Sequence, residues 1–580
     1  MSTLTDDVRE RRVVSSMLWA AWADALGFIS ELVDEDGLHR RLGGEPLNEP
    51  VAWRRRVGGR FGVDAHLPPG CYSDDTQLRL ATARAIGSRG FDVEAFARVE
   101  LTVWPSYALG GGRATRAAAA SLTRPSTPWF GNFFDGWLQA GGNGVAMRVQ
   151  PHVWAAPNPA SFGPHLVEVI TNGATTHGHP RSLVGAVLHA VALGRTLETG
   201  NIPAPDVWPD LLAMVEHSVN LFDDSPELAS VWIPSWEKAT GESFASAWRN
   251  AVKECRDLLT IAGRAIDGRC DSDETRRRNA YSQIVTDLNL TKPSLRGSGT
   301  ATAVASLALA TASGADVAGC ARVAAQAIGT DTDTIATMAA ALAGARGDSS
   351  GPSSVLDADY LKREAQRLAA IGSGKPAETF SYPDLLGWTP PRSQLDAVGM
   401  AADKPALAGL GWWMPAVQDG VLEARGTRWL WAQSDFGASF LLKQRSELRT
   451  LPDGNWPVRR RPAQETSSSR REREMHPTLF EQEEPAQNSS NVSAKYIGLG
   501  ERALGPPDAI ERVRRPYRRR LDIDEILRWI GSRPLTDRDL GYATRRVAEE
   551  GSVEQLIAFT TAIREMINRR ASRPPSGGAS

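Results

Sequence analysis

The stretch GTDTDTIATMAAALAGA (residues 329–345) places acidic and hydroxyl side chains directly before a run of small apolar residues. Asp331, Asp333 and Thr334 place three oxygen-bearing side chains within four positions. The segments on both sides are rich in alanine and predict helices. Asp331 is therefore a candidate N-cap at a helix–loop–helix junction, where the helix dipole favours carboxylates. Capping is one interpretation of the cluster, and a bound cation is the other.

A second cluster repeats the same order of residue types. In YSDDTQLRL (72–80), Ser73, Asp74, Asp75 and Thr76 come directly before a predicted apolar helix. Hydroxyl and carboxylate oxygens are the ligands that Mg²⁺, Mn²⁺ and Ca²⁺ prefer. Two such clusters, each at the start of a helix, predict two divalent cations that polarise a water and hold a substrate's oxygens.

The stretch ADALGFISELV (23–33) carries two further acidic residues, Asp24 and Glu31. Gly27 lies between them and predicts the end of the first helix, because glycine disfavours a helix interior. Glu31 would then lie in a loop. A single glutamate is more often a solvated surface residue than a functional one.

Two loops offer polar or backbone contacts without strong charge. AGGNGVAMRV (140–149) is rich in glycine, which permits close backbone approach by a planar or phosphate-bearing ligand. His177 and His179 precede Pro180 and a predicted helix, where helix caps and loop hydrogen bonds are the ordinary interpretation. Zinc is disfavoured, since a third histidine or a cysteine does not stand close by in the sequence.

The composition of the whole chain is that of an ordinary globular protein. Hydrophobic residues make up 42% of the 580 positions, charged residues make up 23%, and the formal charge is −2. Such a balance does not attract the chain as a whole to nucleic acid or a membrane. The scattered cysteines Cys71, Cys255, Cys270 and Cys320 fit a reducing compartment. We therefore expect a cytoplasmic protein without a membrane segment.

The pattern along the chain predicts four regions. Residues 1–372 form a mainly α domain with recurring alanine-rich amphipathic stretches, and residues 379–460 form a small tryptophan-rich module that contains β-strands. Residues 461–510 predict a disordered linker, and residues 511–570 predict a basic segment followed by a small helical module.

The C-terminal regions suggest partners rather than chemistry. RVRRPYRRR (512–520) has the composition of a nucleic-acid or protein contact, although a solvated linker is the simpler interpretation. The tryptophans of residues 388–456 are more often the core of a small domain than a ligand site. We therefore expect that deletion of residues 376–580 leaves the chemistry of residues 1–372 on a small substrate largely intact.

Five stretches, taken in order, resemble the ADP-ribosylglycohydrolase family over about residues 11–372. They are ADALGFISE, YSDDTQLRL, GNGVAMRV, TTHGHP and GTDTDTIATMAAALAGA. The resemblance implies an all-α orthogonal helical bundle and a hydrolase that removes ADP-ribose from a modified protein side chain or small molecule. It also implies two Mg²⁺ ions, with Mn²⁺ or Ca²⁺ as alternatives.

The resemblance assigns roles by position. The implied metal ligands are Ser73, Asp74, Asp75, Asp331, Asp333 and Thr334. The implied catalytic residues are Glu31, Asp75 and Asp333, with Glu31 as ligand or general base. The implied substrate-binding residues are Gly142, Asn143, Gly144 and His177.

One departure from the family concerns the adenine site. Ala140 and Gly141 stand where some relatives carry a serine and an aromatic residue that packs on adenine. We hypothesise that Phe133, Phe134 or Trp137, just upstream, substitutes for that aromatic residue.

The acidic stretch has three other interpretations. A D-x-D-x-T phosphatase needs its first aspartate at the end of an apolar β-strand, whereas the residues before Asp331 are alanine-rich and helix-like. A Ca²⁺-binding EF-hand loop needs glycine at its sixth position and fails here. A non-catalytic ADP-ribose-binding sensor or scaffold stays open as the alternative to an enzyme.

Overall fold

A computed structural model describes most of the chain as two compact units, Met1–Val458 and Arg459–Ser580, which are considered separately. The described residues are 4–266, 273–348, 350–416, 420–456, 522–532 and 537–571. The predicted linker 461–510, the stretch RVRRPYRRR and Cys270 lie outside them.

The first unit is a helical bundle followed by an antiparallel sheet, which confirms the predicted mainly α fold class. Its helices are α1 (Asp6–Ser30), α2 (Glu35–Leu42), α3 (Asp74–Arg84), α4 (Val93–Ala95), α5 (Leu101–Val103), α6 (Arg113–Leu122), α7 (Gln150–Trp154), α8 (Pro164–Ala174), α9 (Pro180–Thr199), α10 (Trp208–His217), α11 (Ile233–Thr240), α12 (Phe244–Ile266), α13 (Glu274–Asp287), α14 (Gly299–Ser313), α15 (Val317–Ala325), α16 (Thr332–Gly344) and α17 (Ala358–Gly372). Its strands are β1 (Trp53–Val57), β2 (Val63–Leu67), β3 (Ile86–Gly87), β4 (Gly90–Phe91), β5 (Val398–Ala401), β6 (Lys404–Leu407), β7 (Gly411–Pro415), β8 (Leu422–Ala424), β9 (Thr427–Ser434) and β10 (Ser439–Arg445).

Helices α1 and α16 form the centre of the bundle and pack antiparallel. Thr332 Oγ1 donates to the carbonyl of Gly27 at 2.9 Å, and Thr337 Oγ1 donates to the carbonyl of Ala20 at 2.7 Å. Both hydroxyls are buried, so these bonds satisfy polar groups that have left water. They also set the position of the residues at the start of α16.

Gly27 does not end the first helix, so that prediction was wrong. Helix α1 continues to Ser30, and Glu31 is its C-cap residue. A Cβ atom at Gly27 would lie 2.4 Å from the Thr332 carbonyl oxygen and 2.5 Å from Asp333 Cα. The glycine is therefore explained by the close packing of α1 on α16 rather than by a break in the helix.

Gly27→Ala is expected to lower the free energy of unfolding by about 1–3 kcal/mol, because the added methyl group overpacks the α1–α16 contact. Gly263→Ala in α12 is the matched control. A Cβ there meets only Trp208 Cζ3 within 4 Å, at 3.5 Å, so this change should stabilise by up to ~1 kcal/mol through helix propensity. Urea unfolding measures both. Equal effects of the two variants would contradict the packing argument.

The sheet of residues 398–445 is antiparallel, with strand order β10-β9-β7-β6-β5 and with β8 paired to β9. Trp413, Trp429 and Trp431 are buried within it, which agrees with their interpretation as core residues. Trp431 Nε1 donates to the carbonyl of His66 in β2 at 3.0 Å. The sheet and the helices thus bury a continuous apolar core, and the predicted boundary between residues 372 and 379 does not separate two cores.

The described part of the second unit, residues 522–532 and 537–571, contains three helices, α18 (Ile523–Gly531), α19 (Asp537–Glu550) and α20 (Val553–Ala571). Ile526, Ile530 and Phe559 form part of its small core. Ser552 caps α20, because its Oγ accepts a hydrogen bond from the backbone N–H of Gln555.

Among the described residues, α1 is long and apolar enough to cross a membrane by length and composition alone. Within the structure 89% of its most apolar window is buried. The core helix of a globular protein passes the same test, so this observation is weak evidence for a membrane span.

Candidate active site

A cavity of about 1040 Å³ lies where the C-terminal end of α1 meets the N-terminal ends of α3 and α16. The predicted acidic residues Glu31, Asp74, Asp75, Asp331 and Asp333 all line it, together with Thr334, Gly142, Asn143, Gly144 and His177. The structure therefore brings together all of the predicted site residues except Ser73. Their roles stay predictions at this point.

Ser73 has a structural role beside the cavity. It is the N-cap residue of α3, and its Oγ accepts a hydrogen bond from the backbone N–H of Asp75 at 3.2 Å. It is fully buried and is not among the lining residues. Because α3 begins directly after this cap, Asp74 and Asp75 stand in its first turn.

Asp24 holds the start of α3 from the neighbouring helix, a role that sequence reasoning missed. Its buried carboxylate accepts hydrogen bonds from the backbone N–H of Ser73 at 3.0 Å and of Thr76 at 2.9 Å. Thr76 Oγ1 donates to the same carboxylate at 2.6 Å. The signal was present, because an aspartate in the otherwise apolar WADALGF (22–28) must find polar partners when it is buried.

Arg79 is a buried, positively charged side chain that contacts the same elements. The Arg79 guanidinium donates to Thr76 Oγ1 at 3.1 Å, to Thr337 Oγ1 at 2.7 Å and to the Met147 carbonyl at 3.0 Å. It thus ties α3 to α16 and to the segment that follows the glycine-rich loop. Its positive charge lowers the pKa of Asp75 and so partly offsets the effect of burial.

Four carboxyl groups that line the cavity have raised pKa values: those of Glu31, Asp74, Asp75 and Asp333. Burial raises the pKa of Asp75 and of Asp333 well above the usual range, and the charges of neighbouring carboxylates add to the effect. Burial, followed by the charges of Glu31 and Asp24, raises the pKa of Asp74 to about 8. Such a group of buried acids is costly without a compensating positive charge.

One oxygen of this group is buried without a protein partner. Asp75 Oδ2 accepts no hydrogen bond, whereas Asp333 Oδ1 accepts one from the backbone N–H of Thr334 at 2.9 Å. An unpartnered buried carboxylate oxygen calls for an explanation, and an absent cation is one. Within the part of the chain that the structure describes, however, no three His, Cys, Asp or Glu side chains form a group arranged to hold a metal ion.

The glycine-rich loop is docked on the acidic cluster. Its Asn143 backbone N–H donates to the carbonyl of Gly297 at 2.9 Å, and Asn143 Nδ2 donates to Asp331 Oδ2 at 2.9 Å and to Thr302 Oγ1 at 3.1 Å. Asp331 occupies the N-cap position of α16, as predicted, but its side chain makes this contact instead of a capping bond. Asn143 therefore orients Asp331.

His177 borders the loop as a neutral side chain. Its Nδ1 lies 2.8 Å from Thr176 Oγ1, and burial, with a smaller contribution from the charge of Arg148, lowers its pKa to about 3. A Cβ at Gly144 would lie 3.1 Å from His177 Cε1, so only glycine leaves this approach open. His179, by contrast, caps α9 by accepting from the backbone N–H of Arg181 at 3.1 Å.

The lowered pKa of His177 predicts a pH-dependent cost to stability. Between its folded pKa of about 3 and its unfolded pKa of about 6.5, the unfolded state binds the extra proton, so this contribution is lost as the pH falls. The difference in unfolding free energy between His177→Gln and wild type should shift by about 1–2 kcal/mol in favour of the variant from pH 7.5 to pH 5. Using a difference removes the opposite trend of the carboxyl groups with raised pKa values.

The exposed His217→Gln is the control, and its difference from wild type should stay nearly constant over the same range. Urea unfolding at both pH values gives the two differences. A pH-independent difference for His177→Gln would show that His177 is protonated in the folded protein.

Arginines form the second charged component of the cavity, and sequence reasoning missed them. They are Arg55, Arg113, Arg116, Arg181 and Arg296. Arg116 donates to the carbonyls of Gly110 and Gly111, and Arg181 pairs with Glu254 at 2.8 Å. Arg113 and Arg116 share the start of α6, but the other three come from separate segments, so spacing along the chain gives no sign that all five converge.

The three candidate aromatic residues have different surroundings. Phe134 lines the cavity. Phe133 packs on Trp137 with ring centroids 4.5 Å apart, and a Cβ at Gly178 would lie 2.2 Å from Trp137 Cε3. Of the three, Phe134 is therefore the one placed to meet a ligand in the cavity.

The fold and the cavity together define a class: a helical bundle whose central helices present carboxylates at their N-terminal ends beside a glycine-rich loop. Residues 5–372 match a family model described as ADP-ribosylglycohydrolase, and the chain belongs to this family. The resemblance seen in the five motifs is thereby confirmed. The family activity is hydrolysis of ADP-ribose linkages. A comparison with curated proteins found no match.

Proposed function

We propose that this protein removes ADP-ribose from a modified protein side chain or small molecule, at a centre that binds two Mg²⁺ ions, with Mn²⁺ or Ca²⁺ as alternatives. The observation that carries this proposal is the convergence of five carboxylates from α1, α3 and α16 on one cavity. A bound divalent cation would compensate the raised pKa values of Asp75 and Asp333 and would give the unpartnered Asp75 Oδ2 a partner.

The residues that we assign to the metal ions are Asp74, Asp75, Asp331, Asp333 and Thr334. All present oxygen ligands, the type that these hard cations prefer. When bound, the ions would polarise a water and hold the ribose hydroxyls. Ser73 is assigned a different role from the one implied by the resemblance, because its hydroxyl already caps α3.

Glu31 is the proposed general base. Burial raises the pKa of its carboxyl group, and the charge of Arg55, 3.1 Å away, opposes that rise. It takes a proton from the attacking water as the water oxygen bonds to the anomeric carbon of the ribose. The bond from that carbon to the acceptor breaks, and the acceptor leaves with the bonding electrons and takes up the proton from Glu31, directly or through solvent.

The rest of the cavity suits the remainder of ADP-ribose. Residues 142–144 allow close approach of a ligand to the backbone. His177 can form a hydrogen bond with the ligand, and because its pKa is low, its ring stays neutral near pH 7. We assign the diphosphate to Arg113 and Arg296, because guanidinium groups bind phosphate oxygens in a forked geometry. Phe134 is the proposed contact for adenine.

The test is a substrate panel. The full chain is incubated with Mg²⁺ and with ADP-ribosylated arginine, serine and nucleic-acid substrates, and free ADP-ribose is quantified by chromatography. EDTA, Asp75→Ala and Asp331→Ala should each abolish release. Tight ADP-ribose binding without release from any substrate would favour a sensor. Variants that hydrolyse as fast as wild type would refute the metal centre.

A further inference from the structure

The hairpin of β1 and β2 carries one arginine to the proposed catalytic glutamate. Arg55 Nη1 lies 3.1 Å from Glu31 Oε2, and both side chains are about one-fifth exposed, at 20% and 19%. The Arg55 guanidinium also stacks over the ring of Phe28, 4.3 Å from its centroid. Arg55 is thus held between α1 and the cavity, and its charge fixes the direction of the Glu31 carboxylate.

The register of the hairpin separates Arg55 from the arginines beside it. Arg55 lies opposite Ala65, whereas Arg54 lies opposite His66 and forms an exposed ion pair with Asp64 at 2.8 Å. Successive residues of a strand point to opposite faces. Arg54 therefore provides a neighbour of the same type that does not contact the cavity.

The C-terminal sheet supports this hairpin from its other side. Trp431 in β9 donates through Nε1 to the His66 carbonyl at 3.0 Å. Trp429 in the same strand packs so closely that a Cβ at Gly58 would lie 2.7 Å from its Cζ2. Gly58 is at φ +83°, in the turn that joins the two strands. One strand of the sheet therefore holds the hairpin at its turn and along β2.

We propose that the C-terminal sheet takes part in building the active site: it holds the hairpin, and the hairpin positions Arg55 against Glu31. Arg55 is a positioning residue that acts through Glu31. This inference rests on the proposed function, since that function gives Glu31 its role. It replaces the view of residues 379–460 as a module that only selects partners.

The first test uses the full chain and the best substrate of the panel. Arg55→Ala should lower kcat by about 10–100-fold with little change in KM, because the loss of an orienting partner has that size of effect. Arg55→Lys should recover part of the loss, since it keeps the charge. Arg54→Ala is the control and should stay within about twofold of wild type.

A double variant separates positioning from general damage. Glu31→Gln with Arg55→Ala should be no slower than Glu31→Gln alone, because Arg55 then has no carboxylate to orient. Multiplicative losses, or an Arg55→Ala variant with the kcat of wild type, would overturn the role of Arg55.

The second test does not depend on activity. Trp431→Phe removes the bond to His66, and Trp412→Phe removes an indole N–H bond within the same sheet, to the Ala401 carbonyl. Hydrogen–deuterium exchange of peptides covering residues 28–33 and 53–67 should quicken in Trp431→Phe and not in Trp412→Phe. Equal exchange in the two variants would overturn the link from sheet to hairpin.

The two tests separate the failure of this inference from the failure of the proposed function. A wild-type chain that releases ADP-ribose from no substrate refutes the function, while the exchange experiment still decides whether the sheet supports the hairpin. An active wild type with a fully active Arg55→Ala refutes the inference alone.

Discussion

Asp333→Asn is expected to reduce ADP-ribose release by at least about 10²–10³-fold and, in the same protein, to raise the thermal stability of the metal-free state. The two effects have one cause. Burial raises the pKa of Asp333, and the charges of Glu31, Asp75 and Asp331 raise it further. The amide has nearly the same shape but no charge, so it removes both the repulsion and the proposed metal ligand.

The sign of the expected stability change follows from the direction in which the pKa of Asp333 is shifted. A carboxyl whose folded pKa lies above its unfolded value stabilises the protein at low pH, and the contribution is lost as the pH rises through the folded pKa. At pH 8 in EDTA, Asp333→Asn should therefore unfold at least roughly 2 °C above wild type. The gain should shrink as the pH falls toward 5, because the cost of the raised pKa grows only as the pH rises above the unfolded value.

Asp135→Asn is the matched control, since Asp135 also lines the cavity but is exposed. It should change neither activity nor melting temperature appreciably. Scanning fluorimetry in EDTA and in Mg²⁺ gives the stabilities, and Mg²⁺ should stabilise wild type more than Asp333→Asn. An Asp333→Asn variant that melts below wild type in EDTA, or that keeps its activity, would contradict the proposed centre.

Deletion of residues 459–580 should leave activity and stability close to wild type, whereas deletion of residues 376–580 should lower the melting temperature by roughly 10 °C or more, or leave the protein insoluble. The first deletion keeps the compact unit Met1–Val458 whole. The second removes groups that complete the core of the helical region. The expectation from sequence alone, that the longer deletion is tolerated, therefore changes.

A buried ion pair shows the reason most clearly. Arg84 and Glu100 pair at 2.7 Å with almost no exposure, and Tyr382 Oη donates to Glu100 Oε1 at 2.7 Å. Phe436 lies in the loop between β9 and β10, and the centroid of its ring lies 5.6 Å from Arg84 Cζ. Deletion from residue 376 removes Tyr382 and Phe436, which leaves buried charges with fewer partners.

Size-exclusion chromatography, scanning fluorimetry and the hydrolysis assay on both fragments check this prediction. A soluble 1–375 fragment with the melting temperature and activity of wild type would show that the sheet is dispensable and would restore the earlier expectation.

The helices and most of the cavity were predictable because their signals are local. Asp74, Asp75, Asp331 and Asp333 each stand at a helix start, where capping residues and alanine-rich periodicity mark the element directly. Family motifs then brought distant starts together. The cavity residues that lie within the motifs were therefore predicted well from the sequence.

The misses share a different physical origin. Gly27 suggested a helix end because its neighbour across the interface, Thr332, is 305 positions away and invisible to local rules. Arg55 and Trp431 reach the site through strand pairing and sheet packing, neither of which follows from spacing along the chain. Composition showed that the tryptophans were core, but not that the core was shared with the helices.

The hydrogen bonds between α1 and α16 join two segments of the chain that are synthesised at different times. Thr332 and Gly27 are separated by 305 residues, which takes about 15–60 s to translate at roughly 5–20 residues per second. During that time α1, the helix of the described chain that most resembles a membrane span, has no α16 to pack against. The nascent chain should therefore depend on chaperones that shield α1 until the last third of the helical region has left the ribosome.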